Sequence, residues 1–324
     1  MTLFTAAELA EATDFVQARM PATPLHHWPQ LDAPTGARVW IKHENHAPTG
    51  AFKVRGGLTL VDWLRRTRPG CRGLITATRG NHGQSQARAA TAAGLRAVIY
   101  VPHGNSPEKN AAMRAYGADL REFGRDFDEA RTEAMRVAAE EDLFPVPPFH
   151  RELVRGVATY AVEMFRAKPD LDTVYVPIGC GSGICGVIAA RDALGLDTRI
   201  VGVVAAGAQG ARLSARAGRV VETPSARTFA DGMAVRVPVA EAVAIYGPGA
   251  DRIVVVDDDR IAEAIRLLYR ATHNLAEGSG AAGLAALLQE RDAMAGRAVG
   301  LVLSGGNIDA GAMGVVLSGA TPAA

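Results

Sequence analysis

Cysteine is scarce in this 324-residue chain. Cys71, Cys180 and Cys185 are odd in number and show no CxxC or Cys/His ligand spacing, so neither a disulfide framework nor a structural zinc site is suggested, and reduced thiols are the simpler reading. Net charge is scarce as well. Thirty-five Lys+Arg against 34 Asp+Glu leave +1, and with no basic run and no interleaved aromatic platform the sequence argues against nucleic acid as a partner. No apolar stretch approaches the roughly 20 residues needed to span a bilayer. The opening MTLFTAAELAEATDFV has no positive segment followed by an apolar core, so the expectation is a cytoplasmic protein with no membrane partner. Repeats, low-complexity tails and an appended regulatory domain are not seen.

What the chain does have is apolar material, 48% against 21% charged, enough for an enzyme-sized body of one large domain or two closely packed ones. Short β-rich runs recur: 39-VWIK-42, 74-LITA-77, 97-AVIYV-101, 174-VYVPI-178, 200-IVGVV-204, 252-RIVVV-256 and 299-VGLVL-303. They lack clean polar alternation, as strands buried on both faces do. Between them lie helical segments such as 259-DRIAEAIRLLYRA-271, where Ile261, Ala264, Ile265 and Leu268 share one face after an Asp-rich start suited to capping. Alternation of strand and helix predicts an α/β fold with mainly parallel, twisted sheets. Two consecutive strand-helix units, residues 74–94 and 97–117, read as a small α/β domain that ends at the Pro-rich stretch 144-FPVPPFH-150. The expected division is 1–70 with 147–324 as a large domain, 71–146 as the small one, and the active site in the cleft between them.

Parallel sheets carry ligand sites where strands turn into helices. After 174-VYVPI-178 comes 179-GCGSGICG-186, a glycine-rich turn entering an apolar helix. Such a turn can aim successive N–H groups and a helix N-terminus at a phosphate. It is neither a nucleoside-triphosphate loop nor a GxGxxG fingerprint, and tight helix-sheet packing is the alternative reading. In 49-TGAFKVRGG-57 a lysine, Lys53, is set among small and apolar residues. Alone it reads equally as a surface residue of a helix. Together with a phosphate cradle in an α/β fold, it has the requirements of a pyridoxal phosphate enzyme, because a desolvated lysine keeps a free amine for a Schiff base and for proton transfer.

The segments 42-KHENHAPTGAFKVRGG-57, 80-GNHGQS-85, 177-PIGCGSGICG-186, 231-DGMAV-235, 277-EGSGAAGLAAL-287 and 304-SGGN-307 follow one another over almost the whole chain. In this order and spacing the sequence resembles the fold-type II pyridoxal phosphate enzymes, related to tryptophan synthase β, and specifically the serine/threonine dehydratase (ammonia-lyase) and serine racemase branch. The resemblance implies that Lys53 is the Schiff-base lysine and α-proton base, that Phe52 lines the cofactor, and that Asn81 bonds its phenolic oxygen. It implies a phosphate site formed by Gly179, Cys180, Gly181, Ser182 and Gly183, with Ser304 facing the pyridine nitrogen. A hydroxyl cannot keep a pyridinium protonated as a carboxylate can, which suits elimination of a β-hydroxyl to a 2-oxo acid and ammonia. Thr78, Asn81 and His82 would hold the carboxylate of the small-molecule amino-acid substrate. A homodimer is also implied. Glu277 matches an active-site glutamate of the family, and helix capping is the equal alternative.

Departures carry information too. The racemase branch reads Ser-Ser-Gly-Asn-His-Gly where this chain has 78-TRGNHG-83, and Arg79, permanently protonated, cannot replace a serine as the base on the opposite face. Racemisation is disfavoured. Arg79 is left to clamp the substrate, to pair with a second carboxylate as in 3-hydroxyaspartate, to stack on an aryl group or the cofactor, or to make a structural salt bridge. A glutamate that helps bind a divalent cation in some relatives is absent from 203-VVAAGAQGA-211, so no metal is expected there. His46, Met233, Ala234 and Tyr246 are candidates for lining the side-chain pocket. The reading is a dehydratase of a 3-hydroxy-L-amino acid, of threonine type or bulkier such as phenylserine. An amino-acid racemase, a β-replacement enzyme and a 3-hydroxyaspartate dehydratase are the alternatives.

Overall fold

In the computed structural model, which describes residues 2–324, the β-rich runs become strands of two sheets. In chain order these are β1 (Leu25–His27), β2 (Arg38–His43), β3 (Gly73–Ala77), β4 (Arg96–Val101), β5 (Asp119–Glu122), β6 (Phe144–Pro145), β7 (Thr173–Pro177), β8 (Arg199–Ala205), β9 (Arg252–Val256) and β10 (Ala298–Leu303). One sheet has the order β1-β2-β10-β7-β8-β9 and the other β5-β4-β3-β6. Every pairing is parallel except that of β1 on β2. The fold is α/β, as expected. No helix among the described residues is long and apolar enough to cross a membrane.

All seven strands expected from the sequence are present, because their residues bury both faces: Leu74, Ile75, Val174, Tyr175, Val176, Val299, Leu301 and Val302 are all in the core. Three more strands were not expected. β1 is three residues long and β5 reads DLRE, too short or too polar to show a strand period. β6 falls inside the Pro-rich stretch and pairs Phe144 and Pro145 with Leu74 and Ile75. Proline is tolerated there because β6 is an edge strand. The helix read from its Asp-rich start spans Asp258–Thr272; Asp257 caps it by accepting from the Arg260 N–H, and Ile261, Ala264, Ile265 and Leu268 are buried.

β10 is the seam of the larger sheet. It comes late in the chain, yet Gly300 lies opposite Trp40 of β2 on one side and Val174 of β7 on the other. The carboxyl ends of β10, β7 and β3 lead into Ser304, the 179–183 turn and the 78–82 loop respectively.

The helix that begins at Lys53 (Lys53–Thr67) is anchored by a charged cluster closed off from water. Arg55 and Glu44 are fully buried, Lys42 nearly so, and Glu163 exposes only 7% of its side chain. Arg55 bonds Glu44 through Nε (2.8 Å) and Nη2 (3.0 Å), and Glu163 through Nη1 (2.8 Å) and Nη2 (2.9 Å). Its Nη1 also donates to Thr159 Oγ1 at 3.0 Å. Lys42 Nζ donates to Glu163 and to the Thr23 carbonyl, both at 2.6 Å. Two cations thus face two carboxylates, and the bidentate geometry offsets the desolvation that would otherwise make such a cluster unfavourable.

Removing one member leaves the opposite charge buried without its partner. Arg55→Leu should therefore lower the unfolding free energy by about 3–5 kcal/mol in urea titrations; a loss below about 1 kcal/mol, the range of exposed pairs, would mean that the cluster does not hold the helix start.

Candidate active site

Lys53 is the first residue of its helix, and Ser85 fixes it from the side by donating to its carbonyl at 2.6 Å. The residue as a whole is half-buried, but its amine is turned inward: Nζ donates to Ser182 Oγ at 3.2 Å and lies 4.9 Å from the centre of the Phe52 ring. Phe52 meets Tyr160 edge to face at 6.0 Å, and the Tyr160 hydroxyl donates to the Gly183 carbonyl. Desolvation pulls the amine's pKa down from the usual lysine value, against the opposing influence of Cys180 and Glu277. The surface-residue reading of Lys53 is thereby set aside.

Two helices open onto this amine with their first N–H groups unused. In the turn before the Ser182–Ala193 helix, the N–H groups of Cys180, Gly181, Ser182, Gly183 and Ile184 donate to no acceptor among the described residues. Gly181 has φ of 100°, and a Cβ on it would lie 2.6 Å from the Ala242 Cβ; one on Gly179 would lie 2.1 Å from the Gly232 carbonyl. The packing reading of this turn is therefore correct for those two glycines, and the free N–H groups are present beside it. The Asn81–Ala92 helix likewise has no side-chain cap. Before it, Thr78 is buried with Oγ1 accepting from the Gly80 N–H at 3.1 Å, and His82 has its Nε2 buried without a partner. Burial, and secondarily the charge of Lys53, push the His82 imidazole down to about 3.

A chain of polar side chains crosses the site. Asn81 Nδ2 donates to both Glu277 oxygens at 2.8 and 3.0 Å, Ser279 donates to Glu277 at 2.9 Å, and Asn307 Nδ2 donates to Asn81 Oδ1 at 2.7 Å. Glu277 stands at the N-cap position of the Gly278–Gln289 helix but makes no side-chain cap bond, so the capping reading fails. Burial raises its pKa, while Asn81 and Lys109 act to lower it. Beyond it lies a cavity of about 200 Å³ lined by Lys109, Asp231, Glu277, Ser279, Asn307 and Asp309 among others. Ser304 is buried; its carbonyl accepts from the Phe52 N–H at 3.0 Å, and its hydroxyl bonds none of the described residues.

Lys53, Phe52, Ser182 and Ser304 thus meet on one side and Asn81, His82 and Glu277 on the other. Arg79 stands apart. It is exposed and makes no ion pair or side-chain hydrogen bond with the described residues, so the structural salt bridge is not formed. Met233 and Tyr246 belong to the hydrophobic core rather than to an open pocket, Ala234 is exposed, and His46 is tied to Asn274 at 2.6 Å. Sequence reasoning passed over the ion pair of Lys109 with Asp231 at 2.6 Å, although Asp231 opens a segment already singled out. It also gave Asn307 no role.

These residues fit pyridoxal phosphate. The amine is desolvated, the free N–H groups of a helix N-terminus suit a phosphate, no side chain can grow from Gly179 or Gly181 without a clash, and an uncommitted hydroxyl is available for a ring nitrogen. The comparisons with known proteins agree. Residues 17–305 match the family described as pyridoxal-phosphate dependent enzyme. Over 311 residues, 95% of this chain and 77% of the relative, the sequence is 37% identical to the L-threonine ammonia-lyase of Geobacter sulfurreducens. It is 28% identical over 320 residues, 98% of each chain, to the L-threo-3-hydroxyaspartate ammonia-lyase of Saccharomyces cerevisiae. Among solved structures, the processed form of threonine deaminase isoform 2 from Solanum lycopersicum superposes with a TM-score of 0.89 at 30% identity, covering 98% of this chain and 94% of that one.

A histidine whose pKa is depressed stays neutral until the pH falls to that value. The His82 ring resonances should therefore not titrate between about pH 5 and 8, where an ordinary histidine changes charge; an NMR titration midpoint near 6.5 would show that the ring is solvated.

Proposed function

Because the chain belongs to the pyridoxal-phosphate dependent enzyme family, among the ammonia-lyases of threonine and related hydroxyamino acids, we propose that it removes water from a 3-hydroxy-L-amino acid to give a 2-oxo acid and ammonia. The observation that carries this reading is the desolvated Lys53 amine, 3.2 Å from Ser182 at the head of a helix with free N–H groups. When bound, the cofactor supplies an aldehyde for an amino group and a ring that delocalises the electron pair left by a departing α-proton.

The protein's part is to hold, orient and exchange protons. Lys53 anchors the cofactor and takes the α-proton at Nζ, a task that desolvation favours by keeping the amine unprotonated. The N–H groups from Cys180 to Ile184 with the Ser182 hydroxyl take the phosphate. Thr78, His82 and the start of the Asn81 helix take the substrate carboxylate, where a neutral His82 can donate a hydrogen bond without adding charge. Ser304 would offer the ring nitrogen a hydroxyl rather than a carboxylate, a weaker partner that would suit loss of a β-hydroxyl. Lys53 and its phosphate turn would belong to a large domain, 1–70 with 147–324, and the 78–82 loop to a small one, 71–146. The separate strands of the two sheets support that division.

A threonine-type substrate has the support of the relatives' names. A bulkier or acidic one, phenylserine or 3-hydroxyaspartate, is favoured by a specific observation: Arg79, within the 78–82 loop, is a guanidinium without a partner among the described residues.

Turnover of threonine, serine, 3-hydroxyaspartate and phenylserine, read as ammonia and 2-oxo acid, tests both statements. Lys53→Ala should abolish product and the cofactor's absorbance band. Arg79→Ala should lower turnover of 3-hydroxyaspartate and phenylserine by about 10-fold or more, the worth of one charge-assisted contact, and leave threonine within about 3-fold. A D-amino acid in place of the 2-oxo acid would replace the lyase reading with racemisation, and equal losses on all substrates would remove Arg79 from side-chain recognition.

A further inference from the structure

Asn307 follows β10 by way of Ser304, Gly305 and Gly306, a segment stitched on both sides: Phe52 N–H to the Ser304 carbonyl, Gly306 N–H to the Gly50 carbonyl, and Glu277 N–H to the Gly305 carbonyl. Its side chain spans from the approach to Lys53 to the start of the Asn81 helix. Nδ2 donates to the Thr49 carbonyl at 2.8 Å and to Asn81 Oδ1 at 2.7 Å.

The backbone carbonyl of Thr49 can only accept, so the Asn307 atom facing it is the amide nitrogen, and both protons of that nitrogen are committed. The atom of Asn81 opposite must then be an acceptor, which turns the Asn81 NH2 toward Glu277. Turning the amide over would set Oδ1 against the Thr49 carbonyl oxygen and Asn81 Oδ1 and lose both hydrogen bonds, while Gly50 leaves Oδ1 its present room: a Cβ there would lie 2.4 Å away. Gly50 has φ of 67°, a left-handed conformation that suits glycine.

One nitrogen within 2.8 and 3.0 Å of both oxygens of a single carboxylate shares one proton between them. The second Asn81 proton stays available for another acceptor. If Glu277 alone set the orientation, the amide would be free to invert whenever that carboxyl gained a proton and became a donor. Asn307 removes that freedom.

We propose that Asn307 is a positioning residue that locks the Asn81 amide with its NH2 outward, so that one N–H is always presented to an anionic oxygen of the bound cofactor whatever the state of Glu277. The proposal rests on the reading of the site as a pyridoxal phosphate site with Asn81 beside the cofactor's phenolic oxygen. It assigns Asn307 no contact with substrate or cofactor.

A double-mutant cycle on the full chain separates action through Asn81 from general support of the fold. Cofactor affinity is measured by titrating the cofactor-free protein with pyridoxal phosphate, together with the pH midpoint of the bound cofactor's absorbance. Asn307→Leu and Asn81→Leu should each weaken binding about 10-fold, as outer partners of binding groups commonly do, and should move the midpoint in the same direction. The double variant should match either single one within about 2-fold. Asn307→Asp keeps the size but puts acceptors against the Thr49 carbonyl and Asn81 Oδ1, so it should lose as much as Asn307→Leu, and it also serves if the leucine variant does not fold.

Losses that multiply in the double variant, or an unshifted midpoint in Asn307→Leu and Asn307→Asp, would overturn the positioning role while leaving the cofactor reading intact. Failure of the unaltered protein to bind pyridoxal phosphate would take down both.

Discussion

Everything near Lys53 depends on a charge balance hidden two residues further along. Arg55 directs its guanidinium to Glu44 and Glu163 away from water, and because an unmatched buried charge costs several kcal/mol the first turn of that helix has one rotational setting. Lys53 inherits that setting. The cluster also joins three segments distant in sequence: the end of β2 with Lys42 and Glu44, the Lys53 helix, and the Arg151–Ala167 helix with Thr159 and Glu163. A precise lysine direction is thus obtained from bidentate electrostatics rather than from local chain stiffness, which the Gly56 and Gly57 that follow could not provide.

The second organising influence is the field of the helix ends. Helices starting at Lys53, Asn81, Ser182 and Gly278 all begin around the same space. Their partial positive charges discourage a protonated amine and welcome anions, so they add to the effect of desolvation on Lys53 and suit both a phosphate and a carboxylate. Few charged side chains are then needed. Lys109 is already committed to Asp231, and Glu277 is kept at the edge by Asn81 and Ser279.

What the sequence makes legible follows from the range of each interaction. Runs such as 174-VYVPI-178 announce strands because burial on both faces is written into consecutive residues, whereas β5, with Asp119 and Glu122 at its ends, is held by pairing to β4 and has no such local mark. Lys53 and the turn with Ser182 could be singled out from the residues around them, and Asn81 and Ser304 through the resemblance to a known family. Which of these side chains bond one another could not. Asn81 meets Glu277 across 196 positions and Lys109 meets Asp231 across 122, separations at which only the folded chain decides who touches whom. Glu277 illustrates the difference: its position is that of a cap, as pattern reading allows, and its carboxylate is drawn elsewhere by Asn81. Met233 and Tyr246, apolar and aromatic in loop and helix, were equally compatible with pocket or core, and the core claimed them.

The place of β10 has a consequence for how the molecule comes into being. Until residues 298–303 are available, β1 and β2 have no sheet to join and β7, β8 and β9 form a ribbon with a bare inner edge at β7. During synthesis the earlier strands emerge with that edge unpaired, an arrangement prone to association with other chains. Closure requires contacts between the opening and closing thirds of the sequence, which slows folding. Since the same strand delivers Ser304 and Asn307, a nascent chain cannot assemble the site before its sheet is sealed, and a chaperone that shields the β7 edge would have its greatest effect in that interval.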